Sequence, residues 1–388
     1  MKRLILILVA AMFVVVERSE AQSIYRGEIP QREEWHFDEG NLAPLYGNVE
    51  SVDLYMRNNA RRFERVVTFE FNDYGDVAKR LYWRDADEYG FEARFIYDGN
   101  RRVVKDTRYD VDGHLIKRQL YYYDDNDCVV RDVSYDAEGN IFYDQLVSRN
   151  EVGDVTKAEA YVRDNKLFYR IERSYDSRGN MIEERACDED GISKKRCEYR
   201  YDYEQNTMEY LSYDDDGGLS SSSYFIYDQQ GAIFKMYDYS ADGSLRELTV
   251  YENDDKGRPI KAMFCNSDNE VLNYTTYEYH PLGMVSRETC YNSDGSIISD
   301  NINRYNEYGQ PLLFETRSTE GVTFREVYSY DSNGRITSIE ESYLDGESRC
   351  TTYAYDSKGN LIRKKTFVNE SRRPAYDVKY VIKYRNRR

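Results

Sequence analysis

Histidine, proline and tryptophan are scarce in this 388-residue chain, at 3, 6 and 2. His36, His114 and His280 are too few and too scattered for a zinc-type cluster, and no Cys-x-x-Cys is present to help them. Positive charge is short as well: 54 Lys and Arg face 71 Asp and Glu, a net charge of -17. Phosphate backbones need a cationic face, so nucleic acid is excluded as a partner. Beyond Leu4–Val16 there is no long apolar run, and that one falls short of the roughly 20 residues that span a bilayer, so no membrane span is expected. With 40% hydrophobic residues the chain lacks material for thick aliphatic cores. No Ser/His/Asp or Cys/His set is apparent, and the glycines are too evenly spaced for a phosphate loop, so neither catalytic machinery nor a cofactor is expected.

What is abundant is tyrosine, 40 residues against 15 Phe. At the N-terminus, Lys2 and Arg3 precede the apolar run, and Ser19-Glu20-Ala21 offers a small-x-small cleavage site. This reads as an export signal over 1–21, followed by an N-terminal segment over 22–65 and a repeat array over 66–388. Export permits disulfides, but the six cysteines (Cys128, Cys187, Cys197, Cys265, Cys290, Cys350) show no framework spacing and read as thiols in strands. Only Cys187 and Cys197 are close enough in sequence for neighbouring strands to bring together.

Self-similarity dominates the rest. Segments such as Tyr175-Asp176-Ser177-Arg178-Gly179 and Tyr355-Asp356-Ser357-Lys358-Gly359 define a glycine slot. From Gly75 to Gly321 that slot recurs at steps alternating between 12 and 14 residues, a 26-residue module with two turns. Of the twenty slots, fourteen are Gly and four are Asn or Asp, the residues that best tolerate a left-handed backbone. Four residues earlier, fifteen of twenty positions are aromatic. Apolar residues recur with period two, as in Tyr277-Glu278-Tyr279, so the segments are strands, and every connection is short enough for a hairpin. The fold class is all-β: one antiparallel meander of about two dozen strands, expected to coil into a spiral or solenoid-like sheet because strands twist. Leu45–Tyr55 reads as a capping strand, and Ala375–Tyr384 as the last one.

Even steps predict that positions at even offsets from the slot share one face. That face carries aromatic pairs such as Tyr199 and Tyr201, Phe225 and Tyr227, and Tyr277 and Tyr279, a candidate binding surface. Successive turns fall on opposite edges. On the edge without Tyr-Asp turns the residue before the slot is acidic in nine of ten modules, including Asp190, Asp216, Asp242, Asp268 and Asp294, a candidate cation row at a pitch of about 10 Å.

The Tyr-Asp-x-x-Gly blocks at 175–181, 330–336 and 355–361, alternating with shorter Asp-Gly turns, resemble the YD repeats of RHS-type bacterial surface proteins over about 290 residues. The resemblance implies a spiralling β-shell, which in some members encloses a C-terminal toxin, an exported location and the carbohydrate binding to which YD repeats are linked. The chain also resembles exported Tyr-rich repeat proteins of Bacteroidetes type, which share Leu-x-Gly-x-Val-x-x-Val, here at 45–52, and MORN-type hairpin repeats more weakly. The Asp-Pro element of the RHS autoprotease has no counterpart in this sequence, so the toxin-shell role is not carried over.

Function then reads as a non-enzymatic, exported scaffold or binding protein of the bacterial cell envelope, periplasmic or at the cell surface, with a glycan or an envelope protein as partner. A glycan-degrading enzyme is the first alternative. It requires carboxylates that break the repeat, and the repeat loses phase around 317–346. Calcium binding is the second, since Asp110-Val111-Asp112-Gly113 resembles the start of an oxygen-rich loop. His114 and His280 read as turn variants, and the periodic Asp residues as turn openers.

Overall fold

The computed structural model describes residues 45–58, 62–83 and 89–385, so the export signal, most of the N-terminal segment and the slot at Asp87 lie outside the described residues. The chain divides into two units, Met1–Pro44 and Leu45–Arg388, and the second carries every described strand. The described residues form 26 strands in one antiparallel sheet, each hydrogen-bonded to the next in sequence.

The turns explain the repeat. Asp176 N–H donates to Asn180 O at 2.9 Å and Gly179 N–H returns to Asp176 O at 3.0 Å. That is a three-residue loop closed by a left-handed residue and a bulge. Asp176 Oδ1 accepts the N–H groups of Arg178 and Asn180 at 2.8 and 2.9 Å, so the Asp of each Tyr-Asp turn is spent on its own backbone. Positive φ occurs at Gly179 (81°) and, without glycine, at the slots Arg101 (64°), Asp127 (62°) and Asn269 (64°).

The sheet closes into a β-barrel instead of coiling into an open spiral. Val49–Asn58 pairs on one side with Glu64–Phe71 and on the other with the last strand, Tyr376–Tyr384, where Leu54 lies opposite both Val67 and Tyr380. The strand expected to cap the array is therefore its seam. An antiparallel meander can join its ends in this way only with an even number of strands. Polar groups fix the join. Asp377, fully buried, accepts from Arg57 at 2.7 Å and from Arg363 at 2.9 and 2.8 Å. Asn360, 1% exposed, accepts Tyr46 N–H, donates back to Tyr46 O at 2.9 Å, and donates to Tyr384 Oη at 2.7 Å.

Register corrects the single-face expectation. Paired positions in a hairpin, such as Ser174 and Glu183, enclose an even number of residues, so a given offset changes face at every turn. The aromatics entering Tyr-Asp turns lie on one face; Trp83, Tyr109, Tyr135, Tyr213, Tyr239 and Tyr291, entering the other turns, lie on the opposite one. Side chains two strands apart influence each other's ionisation on the first face: Tyr201 with Tyr227, Tyr251 with Tyr277, Asp106 with Arg80. Strand residues of the other face, such as Ile96, Tyr122 and Leu146, are exposed, so that face is the convex outside and the first face lines the barrel lumen. The outer face carries ion pairs such as Arg287–Asp300 and Arg131–Asp144, at 2.8 and 2.7 Å. The wall is one layer thick, and most strand residues on both faces are half-buried. All six cysteines are free: Cys187 lies opposite Ser193 and Cys197 opposite Glu184, on different faces, so the one pair near in sequence cannot bridge.

Candidate functional site

Tyr199, Tyr201, Phe225, Tyr227, Tyr277 and Tyr279 all lie on the lumen face. Register links the first four directly. Tyr199 stands opposite Tyr210, Tyr201 opposite Met208, and Met208 opposite Phe225 on its other side. Tyr277 and Tyr279, four strands further round the ring, are reached across Met236, Thr249, Tyr251 and Ala262. Burial pushes the phenols of Tyr199, Tyr201, Tyr227, Tyr277 and Tyr279 upward, so all five are neutral donors at physiological pH.

These tyrosines fall into two groups. At the Tyr-Asp rim the phenol of each turn donates to the backbone carbonyl that opens the neighbouring strand: Tyr97 to Val77 and Tyr123 to Val103, both 2.7 Å, Tyr175 to Val155 at 2.8 Å, Tyr201 to Met181 at 3.2 Å and Tyr279 to Pro259 at 2.6 Å. Asn253 performs the same task with its amide on Ile233 O, at 3.0 Å. This ladder stitches each turn to the previous one and accounts for the periodic tyrosine. Tyr227 occupies a ladder position, but its phenol makes no hydrogen bond among the described residues; the preceding loop ends differently, with the positive φ at Asn206 instead of the slot Gln205. The phenols of Tyr199 and Tyr277 are likewise unengaged among the described residues. Tyr201→Phe should therefore cost about 1 kcal/mol of stability, the worth of one such bond, and Tyr227→Phe close to none; thermal melts of the two variants compare them directly.

The acidic row stands at the opposite rim. Asp190, Asp216, Asp242, Asp268 and Asp294 are each exposed, on separate hairpins. Asp242 and Asp294 are held below the usual carboxylate range by the Ser244 and Ser296 hydroxyls and N–H groups they accept. Among the described residues, acids and an imidazole come within common ligand reach at Asp110, Asp112 and His114. There Asp110 Oδ1 already accepts the N–H groups of Asp112 and His114 at 3.0 and 2.8 Å, the same turn chemistry as at Asp176 and Asp188. His280 Nδ1 takes the same place, accepting Leu282 N–H at 3.3 Å.

Where the repeat loses phase, a groove of about 430 Å³ is lined by Arg325, Glu340, Ser342, Arg349, Cys350 and Phe367, among others. Glu340 and Glu341 are neighbours in one strand and point to opposite faces. On the lumen side Glu341 lies directly opposite Glu326. Tyr328 donates to Glu326 at 2.7 Å and Tyr343 to Glu341 at 3.0 Å. Like charges placed directly opposite are normally avoided. This pair was not legible from the sequence because its facing depends on register.

Residues 240–376 match a family model described only as an uncharacterised protein. No curated protein matches. Among solved structures the chain is similar to the TcdB2–TccC3–Cdc42 complex, at 11% identity over 85% of this chain with a TM-score of 0.26, and it spans a quarter (25%) of that chain's length. A porin-like protein from Bacteroides uniformis is 10% identical over 87% of this chain and 98% of its own, with a TM-score of 0.20. A protein of unknown function from Bacteroides fragilis is 11% identical over 47% of this chain and 94% of its own, with a TM-score of 0.11. TM-scores this low carry no functional argument.

Proposed function

We propose that this chain is an exported, non-enzymatic scaffold of the bacterial cell envelope whose tyrosine-lined inner wall holds a glycan. The observation that carries the reading is the common facing of the six aromatics, with the phenols of Tyr199, Tyr227 and Tyr277 left open beside rings suited to stacking on sugars. No helix among the described residues is long and apolar enough to cross a membrane. A transmembrane β-barrel needs an unbroken apolar outer band. Here mid-strand ions interrupt the outer face at Arg287–Asp300 and Arg196–Glu183, which argues for a barrel in water.

A glycan array probed with the mature protein tests the reading. Tyr227→Phe should weaken binding several-fold with the melting temperature unchanged, whereas Tyr201→Phe should lower the melting temperature and leave binding intact. A wild-type protein that retains no glycan ends the sugar reading and leaves a protein partner. The Glu326–Glu341 pair supports a second reading, glycoside hydrolysis, because register sets two carboxylates face to face across neighbouring strands and glycoside hydrolysis works with such a pair. In that case the wild type shortens a bound oligosaccharide and Glu326→Gln abolishes the cleavage; an oligosaccharide recovered intact from the wild type removes this reading.

A further inference from the structure

Five buried side-chain polar atoms lack a hydrogen-bond partner among the described residues: Arg80 Nε, Asp106 Oδ1, Arg108 Nε, Arg118 Nε and Arg149 Nε. All fall in the arc from Val77 to Arg149, well away from the tyrosine band. Buried polar groups are nearly always satisfied, so such a concentration calls for a cause.

Four of the five are on the lumen face, and three of these, Arg80 Nε, Asp106 Oδ1 and Arg108 Nε, lie together. Arg80 and Arg108 stand on either side of Ala93 in one cross-strand row, and Lys117 follows Arg108 in the same row. The single methyl group of Ala93 separates the two arginine-bearing strands. The Arg80 guanidinium lies over the rings of Phe69 and Phe95, 5.5 and 5.1 Å from their centroids. In the next row, Asp106 is 7% exposed, with Oδ2 at 3.7 Å from Arg108 Nε, too far for a hydrogen bond. Beside it, Gln119 donates to both oxygens of Asp132 at 2.7 and 2.8 Å, which occupies that carboxylate. Three cations thus meet two carboxylates, Asp106 and Asp132, an excess of one positive charge inside a chain of net charge -17, and Asp106 Oδ1 is left without a hydrogen bond. Burial pushes the Lys117 ammonium down and the Asp106 carboxyl up, so these two groups are short of solvation.

Building on the glycan reading, we infer that this cluster is a subsite for an acidic sugar: Arg80, Arg108 and Lys117 take the carboxylate of a uronate residue and Asp106 accepts one of its hydroxyls. Guanidinium groups suit a carboxylate because they offer paired, charge-assisted hydrogen bonds. Phe95, adjacent in the Asp106 row, supplies an apolar wall for the sugar ring.

Calorimetry with the full chain tests it, using galacturonate, glucuronate and mannuronate oligosaccharides beside the same oligomers with their carboxyl groups reduced to alcohols. The expected result is binding at least tenfold tighter for one acidic oligomer than for its reduced counterpart. Arg108→Gln and, independently, Arg80→Gln should erase that difference and leave the reduced oligomer's affinity unchanged. Equal affinity of the wild type for acidic and reduced forms overturns the subsite and leaves the glycan reading standing, as does a preference that survives in both variants. Binding of neither form, by a wild type that also retains nothing on the array, overturns both.

Discussion

A chain beginning at Glu64, and so lacking the strand Val49–Asn58, is expected to self-associate and aggregate. That strand pairs along its length with Tyr376–Tyr384 and with Glu64–Phe71. Its removal exposes two strand edges at once, each a row of unpaired N–H and C=O groups ready to recruit another chain. It also removes Val49, Val52 and Leu54, three of the most deeply buried aliphatics in a wall that has few. Size-exclusion chromatography with light scattering should show species larger than those the full chain forms, and aggregate. A molecular mass per particle and a melting temperature unchanged from the full chain would mean that the strand is a dispensable cap and the closure of the barrel incidental.

Asp377→Ala is the point substitution with the largest expected cost. Its carboxylate is fully buried and serves Arg57 from the first strand and Arg363 from the strand Leu361–Val368, so its loss leaves two guanidinium groups facing each other across the seam. Removing one partner of a buried ion pair costs about 3–5 kcal/mol; with both arginines partly exposed the lower end applies, about 3 kcal/mol. Burial pushes the Asp377 carboxyl up, but the hydrogen bond and charge of Arg363, with the charges of Arg57 and Lys365, more than offset this and hold it below 3.8. A carboxyl whose folded pKa is depressed stabilises the fold above its unfolded pKa, and that stability is lost as pH falls through the folded value. Denaturant melts should therefore show the wild-type advantage over Asp377→Ala in full at pH 7 and shrinking below about pH 4. An advantage that persists undiminished at pH 2 would show that the carboxylate's charge is not what holds the seam.

Much of the local structure was legible. The slots predict the left-handed residues, including Arg101, whose φ of 64° is unfavourable for an ordinary side chain by about 1–2 kcal/mol. Its guanidinium offsets that strain by bonding Asp76 Oδ1 and Tyr74 O in the previous turn, at 2.6 and 2.9 Å. The miss at Gln205 is equally local, since Asn206 next to it tolerates positive φ better and takes it. The six aromatics were legible as a set because they share a position in the repeat. The lumen cluster around Asp106 was not. Arg80, Arg108 and Lys117 are scattered in sequence and carry no periodic mark, and only the pairing register sets them side by side.

Sequence by itself determined the strands, their turns, the hairpin order and the rim each turn occupies, because these follow from bonds made within a single 26-residue module. Which face a side chain takes and whether the array stays open were decided by tertiary structure. Facing depends on how many residues separate paired positions in each hairpin, a count that one bulged residue changes. Closure depends on twist accumulated over 26 strands and on contacts such as Arg57–Asp377 and Tyr46–Asn360, formed between residues more than 300 apart in the chain. No window of the sequence short enough to show the repeat contains both partners of those contacts.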